Sequence, residues 1–185
     1  MAGKTGKKYA KYFIEYEPWM QQAAIPVAMT QKLGVAVPPM KTFMWLDSKT
    51  AEGCHFYWAM WFTPEAKFPL GIGHPPHIHQ DAELLFHIGT NPDDPTDLGA
   101  DVELYMGEEM ERYVINKTCM VYIPPHFIHC PWKPLVTRRP WIFIEVNQGP
   151  VHTEKGYHHL TPKELKEKYA DEYKMMGQLF VDEGF

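Results

Sequence analysis

Residues 71–89 read GIGHPPHIHQDAELLFHIG, and this stretch carries most of the information in the chain. It places four histidines and one glutamate in a short segment that opens with glycine and proline. A second stretch, residues 122–131, reads YIPPHFIHCP. Six of the ten histidines lie in these two windows. Imidazole and carboxylate groups bind borderline divalent metals, so the first hypothesis is a metal site.

The spacing of the first window predicts that its ligands share one face. Side chains alternate between the two faces of a strand, so His77 and His79 point to the same side. Glu83 keeps that parity just beyond an expected kink. A third imidazole must come from elsewhere in the chain, and either His129 or His126 can supply it. Three nitrogens and one carboxylate would leave one or two open positions on an octahedral metal, as a catalytic site requires.

The first window resembles the first motif of the cupin superfamily. That motif is a glycine, five residues, His-x-His, three residues, a glutamate and a later glycine. Gly71, His77, His79 and Glu83 match it, and Gly89 stands one residue earlier than the last glycine of the motif.

The second window resembles the second cupin motif less closely, and the whole resemblance covers residues 40–147. Pro124 and His129 match, whereas Thr118 and His126 stand where the family has glycine and Lys133 where it has asparagine. In place of a turn glycine, His126 either sits in a strained or rearranged turn outside the ligand set or competes with His129 as ligand.

The resemblance implies an all-β fold, a cupin-type double-stranded β-helix (a jelly-roll barrel) with an N-terminal extension and a C-terminal helix. It implies one divalent transition metal (Fe, Mn, Ni or Zn) inside the mouth of the barrel, and a homodimer. The ligands it implies are His77, His79, Glu83 and His129.

Short apolar segments separated by turn residues agree with a barrel. The predicted strands are Phe43–Leu46, Cys54–Phe62, Glu83–Ile88, Asp101–Met106, Arg112–Ile115, Met120–Ile123 and Trp141–Asn147. The expected organisation is an N-terminal extension packed on the barrel (1–39), a cupin barrel (40–150) and a C-terminal helical tail (151–185).

The tail predicts a helix that starts at a capping box, Thr161–Glu164, with Pro162 at its first position, and continues to Gly177. Leu165 and Tyr169 recur at helical spacing and are expected to pack on the outside of the barrel.

Composition excludes several functional classes. A chain of 185 residues and 21.5 kDa favours one compact domain. The net charge of −5 and pI near 6.0 argue against nucleic-acid binding. No apolar stretch predicts a membrane span or a signal peptide. Three cysteines without CxxC spacing predict neither a disulfide framework nor a zinc ribbon, which favours the cytoplasm.

Three further residues are candidates for catalysis. Glu145 lies in an otherwise apolar strand, where it is either paired at the strand end or points inward as a general acid/base with a raised pKa. His87 shares the parity of Glu83 and either lines the cavity or belongs to the core. Tyr122 shares parity with Pro124 and can approach the cavity.

The resemblance implies a metal-dependent enzyme that acts on a small oxygen-rich substrate, such as a carboxylate, a hydroxy-ketone or an enediol. Dioxygenase, lyase, isomerase and decarboxylase activities all occur on this fold, which cannot choose among them. The alternative is a non-catalytic, metal-dependent small-molecule binding or sensor protein.

Overall fold

The computed structural model describes residues 8–24, 40–65, 68 and 70–179. The strands are β1 Met40–Leu46, β2 Phe56–Phe62, β3 His77–Ile78, β4 Glu83–Gly89, β5 Asp97–Met106, β6 Glu111–Lys117, β7 Cys119–Ile123, β8 His129–Thr137, β9 Trp141–Asn147 and β10 Lys155–Gly156. The α-helices are α1 Pro18–Ala24, α2 Lys163–Lys168 and α3 Ala170–Leu179, and 3-10 turns span Ala10–Tyr12 and His158–Leu160.

The strands form two five-stranded sheets. One sheet has the order β1-β2-β9-β4-β7, the other β10-β3-β8-β5-β6, and all pairs between named strands are antiparallel. Apart from β1-β2 and β5-β6, neighbours in each sheet are not consecutive in the chain, as in a jelly roll. The chain therefore has the all-β jelly-roll fold that the sequence predicts.

The core lies between the two sheets and is rich in aromatic rings. The antiparallel register of β2 and β9 sets Phe62 opposite Trp141, and both side chains point inward. Their rings stack with centroids 4.7 Å apart, and the rings of Trp132 and Phe143 lie at 4.6 Å. Burying each such ring stabilises the fold by about 1.5–3 kcal/mol. This core closes the barrel at the end away from Glu83.

Strand β8 was not predicted, because two prolines interrupt its sequence. Pro131 and Pro134 cannot donate backbone hydrogen bonds, so they are normally confined to edges and bulges. Here β8 is central, and its register with β5 shifts at two places, between Asp101 and Val102 and between Leu104 and Met106. These irregularities accommodate the prolines. They also allow His129, the first residue of β8, to lie in the barrel interior.

The helical tail packs on the barrel as expected, but it starts and continues differently. Thr161 does not cap the helix, since its hydroxyl donates to the carbonyl of His158 at 2.8 Å. Tyr169 leaves helical geometry (φ −123°, ψ 46°), so two helices replace one. Leu165 and Met176 are buried in a second apolar cluster beside β5.

The predicted N-terminal extension is described in part. Helix α1 lies against β1, where the backbone N–H of Thr42 donates to Oε1 of Gln21 at 2.7 Å. Residues 1–7 and 25–39 lie outside the described residues, so the domain boundaries stay a prediction. Within the described part of the chain, no helix is long and apolar enough to cross a membrane. All three cysteines are free.

Candidate metal centre

Strands β3 and β8 bring three histidines together. His77 lies directly opposite His129 in the antiparallel register. The Nε2 atoms of His77 and His79 are 3.1 Å apart, and the ring centroid of His129 lies 4.2 Å from that of His77 and 5.1 Å from that of His79. All three side chains are buried. The predicted shared face of His77 and His79 is therefore present, and His129 faces it.

Glu83, the first residue of β4, completes the cluster. Its Oε1 lies 3.2 Å from Nε2 of His79, and its Oε2 lies 3.1 Å from Nε2 of His129. Asn147, directly opposite on β9, donates from Nδ2 to Oε1 at 3.0 Å and fixes the carboxylate. Although Oε2 is within ion-pair distance of His129, it accepts no hydrogen bond of good geometry among the described residues.

Backbone carbonyls fix the orientation of all three imidazoles through Nδ1. The acceptors are Pro75 O for His77 at 2.8 Å, Phe127 O for His129 at 3.1 Å, and Thr153 O for His79. A carbonyl only accepts, so each Nδ1 carries a hydrogen. In its neutral form each ring therefore turns the Nε2 lone pair toward the cluster, as metal-binding histidines do.

This donor set fits a divalent cation. At metal–ligand distances of about 2.1 Å, neighbouring ligands of an octahedral ion lie about 3.0 Å apart. The observed separations of 3.1 and 3.2 Å match that value. Facing lone pairs at such distances repel each other unless a proton or a cation lies between them. The cluster therefore suits a divalent transition metal, with positions left for further ligands.

Protons and a metal ion would compete for this cluster. Burial lowers the pKa of His77 well below its usual value, and the neighbouring His129 lowers it further. Burial also lowers the pKa of His79, but the hydrogen bond and charge of Glu83 outweigh it and raise that pKa to about 9. Burial raises the pKa of Glu83, but the neighbouring imidazoles of His129 and His79 bring it well below its usual value. A metal ion would displace the proton from His79.

Residues 152–156, which we call the strap, cover β3. Thr153 accepts from the backbone N–H of Gln80 at 3.0 Å through its hydroxyl, besides holding His79 through its carbonyl. Glu154 lies 3.3 Å from Nε2 of His74. The last two strap residues pair with β3 as β10. The strap therefore holds the ligand histidines from outside the sequence motifs.

Within the strap, His152 reaches the barrel interior and meets Glu145. Its Nε2 lies 3.3 Å from Oε1 of Glu145, and its ring packs between Phe56 at 5.3 Å and His79 at 5.0 Å. Burial lowers the pKa of His152, but Glu145 raises it overall. Glu145 thus points inward, one of the two orientations left open by the sequence.

The structure places the other two candidates for catalysis away from the cluster. Tyr122 lies opposite Leu84, off the face that carries Glu83, and is 55% exposed. His87 is fully buried among aromatic rings and accepts a hydrogen bond from Nε1 of Trp132 at 3.1 Å. Burial lowers the pKa of His87 to about 4. The sequence left two interpretations of His87, a cavity-lining residue or a core residue, and this position matches the core residue.

His126 and His74 flank the cluster. His126 takes a left-handed conformation with φ 60°, as its place at a turn glycine predicts. Its side chain is exposed, and its backbone N–H donates to the carbonyl of His79 at 2.9 Å. His74 lies at the rim beside Glu154. Among the described residues, the ligand atoms of His77, His79 and His129 converge, and that of His126 is not with them.

Sequence reasoning missed four residues that build the site: Asn147, His152, Thr153 and Glu154. Asn147 shares the strand parity of Glu145 at the end of an apolar strand, which was a usable signal. The strap residues gave only a polar cluster after Gly149 and Pro150. Their contacts with residues 74–80 join distant parts of the chain and left no local pattern.

A cleft of about 470 Å³ lies elsewhere, between the barrel surface and the C-terminal helices. Phe62, Phe68, Lys133 and Tyr169 are among the residues that line it. None of the four predicted metal ligands lines this cleft, so the cleft and the metal centre are separate features.

Several solved structures are similar to this chain. An oxalate decarboxylase of Bacillus subtilis with Mn(II) centres is 12% identical, with 82% of this chain and 37% of that chain covered and a TM-score of 0.45. The oxalate decarboxylase of Lactobacillus farciminis in its formate complex is 14% identical, with 73% and 37% covered and a TM-score of 0.43. A recombinant oxalate oxidase in complex with glycolate is 16% identical, with 64% and 56% covered and a TM-score of 0.40.

This chain therefore spans 37% of each of these decarboxylases and 56% of the oxidase. No family model matches it, and no curated protein matches it. Its fold assignment rests on its own strand order.

Proposed function

We propose that this protein is a metal-dependent enzyme that acts on a small oxygen-rich organic substrate. The observation that supports this most is the convergence of three imidazoles, with the Glu83 carboxylate beside two of them and every Nδ1 engaged by a backbone carbonyl. Such a set holds an ion while leaving coordination positions for a substrate.

Each residue of the cluster would have a separate role in metal binding. His77, His79, His129 and Glu83 hold the ion, and Asn147 keeps the Glu83 carboxylate turned toward it. When bound, a divalent ion would supply Lewis-acid chemistry to a substrate oxygen.

Buried apolar side chains next to the cluster would exclude bulk water from the bound substrate. Leu85 and Ile123 are both nearly inaccessible and lie beside Glu83 on the interior face of the sheet. An environment of this kind strengthens electrostatic interactions within the site. Dioxygenase, lyase, isomerase and decarboxylase reactions are all compatible with this arrangement.

Metal analysis followed by substrate screening tests the proposal. The purified protein is loaded with Mn(II), Fe(II), Ni(II) or Zn(II) and incubated with keto and hydroxy acids, with and without oxygen. Oxygen uptake would identify a dioxygenase, and turnover without oxygen a lyase, isomerase or decarboxylase. Metal and ligand binding without turnover would favour the sensor alternative. Failure to bind any of these metals stoichiometrically would contradict the proposal.

The homodimer and the cytoplasmic location implied by the sequence stay predictions.

A further inference from the structure

Glu145 is a largely buried carboxylate that the metal cluster does not use. It lies on β9 directly between Trp58 on β2 and Leu85 on β4, so both cross-strand neighbours on its face are apolar. Its side chain is 12% exposed. A carboxylate in such surroundings costs free energy unless it is paired or hydrogen-bonded.

The pairing of Glu145 is incomplete. His152 lies 3.3 Å from Oε1, which is an ion-pair distance, but the orientation makes no good hydrogen bond. Oε1 is inaccessible to water and has no hydrogen-bond partner among the described residues. Glu83 Oε2 shares this property, and there the facing imidazoles and the fit of a cation account for it. Besides its ion-pair contact with His152, Glu145 Oε1 can therefore accept a hydrogen bond that the described residues do not donate.

Glu145 lies next to the metal centre on the same interior face. Asn147, two residues further along β9, is directly opposite Glu83. Two residues of a strand span about 7 Å, so Glu145 is within reach of a small molecule bound at the metal. His152 links the two places, since its ring contacts that of His79 while its Nε2 faces Glu145. Its side chain is 33% exposed, so this side of the centre reaches solvent.

We infer that Glu145, held by His152, is the specificity-determining residue of the site and accepts a hydrogen bond from a hydroxyl group of the substrate. This inference rests on the proposed function and names its substrate class. The substrate is a small hydroxylated acid that binds the metal through its carboxylate end and donates a hydroxyl to Oε1 of Glu145. A dicarboxylate of the same length places a negative charge against Glu145 and is rejected.

Two three-carbon probes test this directly. Glycerate carries a carboxylate and a terminal hydroxyl, whereas malonate carries a carboxylate at both ends. Titration calorimetry on the Mn(II)-loaded protein is expected to give a dissociation constant for glycerate about tenfold or more below that for malonate, because a hydrogen bond to a charged acceptor is favourable and carboxylate repulsion is not. Equal affinities, or tighter binding of malonate, would overturn the inference, whatever the variants do.

Glu145→Gln then isolates the residue. Its amide keeps the shape of the side chain but removes the charge, so malonate binding should strengthen and glycerate binding weaken, and the preference should shrink at least fivefold. Glu103→Gln is the matched control, because it removes one charge from a buried carboxylate on β5 that pairs with Arg112, away from the metal cluster. The preference should be unchanged there.

Metal content, measured on both variants, separates the outcomes. A loss of metal in Glu145→Gln alone would identify Glu145 as a ligand and overturn the inference, while leaving the metal centre intact as a proposal. Equal changes of preference in the two variants would overturn it as well, since the effect would then be one of general charge. Failure of the wild-type protein to bind any of Mn(II), Fe(II), Ni(II) and Zn(II) would remove both this inference and the proposed function; if only Mn(II) fails, the titrations use the metal that binds.

Discussion

At the scale of single residues, the centre depends on hydrogen bonds behind each ligand. His77, His79 and His129 each donate from Nδ1 to a backbone carbonyl, which holds the ring and would leave Nε2 available to a metal ion. Glu83 has the corresponding support from Asn147. Affinity for a metal should therefore respond to the supporting residues as well as to the ligands.

The first prediction separates the two histidines of the second window. His129→Ala removes a converging Nε2 and should weaken metal binding at least about 100-fold, as judged by competition with a chelator. His126→Gly removes an exposed side chain and suits the positive φ, so it should change the affinity less than about threefold. The reverse ranking would assign the third imidazole to His126.

The second prediction concerns the support of Glu83. Asn147→Ala removes the hydrogen bond to Oε1 and should weaken metal binding by about 10–100-fold in the same competition assay. Gln148→Ala, at the exposed neighbouring position, is the control and should leave the affinity unchanged. Equal affinities in the two variants would show that Asn147 does not position the carboxylate.

The third prediction uses the buried His87, whose folded pKa of about 4 lies below the unfolded value near 6.5. As the pH falls, His87 takes up a proton in the unfolded chain before it does so in the folded protein. The folded state therefore has its full stability, as far as His87 is concerned, above about pH 6.5. This stability falls as the pH drops toward 4, by about 3 kcal/mol. Urea unfolding of the metal-free protein should show this loss, and His87→Gln should lack that part of it. Parallel pH profiles of the two proteins would contradict the assignment.

At the scale of elements, close backbone approach positions the segment that carries the ligands. Gly73 has a φ of +82°, and a Cβ there would lie 2.7 Å from the carbonyl oxygen of Trp132. The next residue, His74, bridges to Trp132 in β8. Only glycine therefore allows the segment before β3 to pack closely against β8. This packing places His77 opposite His129.

This arrangement gives the fourth prediction. Gly73→Ala should destabilise the protein by more than about 2 kcal/mol, because a strained φ and a backbone clash add together. Gly53→Ala is the control, with a φ of +80° and no atom within 4 Å of the added Cβ, and should cost only about 1 kcal/mol. Thermal unfolding of both variants measures the difference. Similar losses of stability would mean that the contact with Trp132 is unimportant.

Elements that follow from local patterns were predictable, and those that depend on distant contacts were not. The predicted strand Trp141–Asn147 matches β9 in full, since a short run of aromatic and β-branched residues between turn residues is typical of a strand. β8 could not be predicted from its local sequence, because prolines are rare within a central strand. Tyr169 divides the helical tail, and its ring lies where a Cβ on Gly71 would be. That packing constraint cannot be seen in the helical pattern alone.

At the scale of the whole molecule, the barrel joins ligands that are far apart in sequence. The first window supplies His77, His79 and Glu83 from one connection, and β8 brings His129 from about fifty residues away. Spacing within the first window predicted that His77, His79 and Glu83 share a face, because side chains alternate along a strand. The resemblance of the second window favoured His129 over His126, and the four side chains lie together in the fold. The strap follows β9 in sequence. That it covers β3 is seen only in the folded structure.

The central claim is that three imidazoles and one carboxylate bind a single ion. Pulsed electron paramagnetic resonance on the Mn(II)-loaded protein counts the nitrogen nuclei coupled to the metal. We expect three histidine nitrogens in the wild-type protein and two after His129→Ala. A wild-type spectrum without histidine couplings, or one unchanged by that substitution, would contradict it.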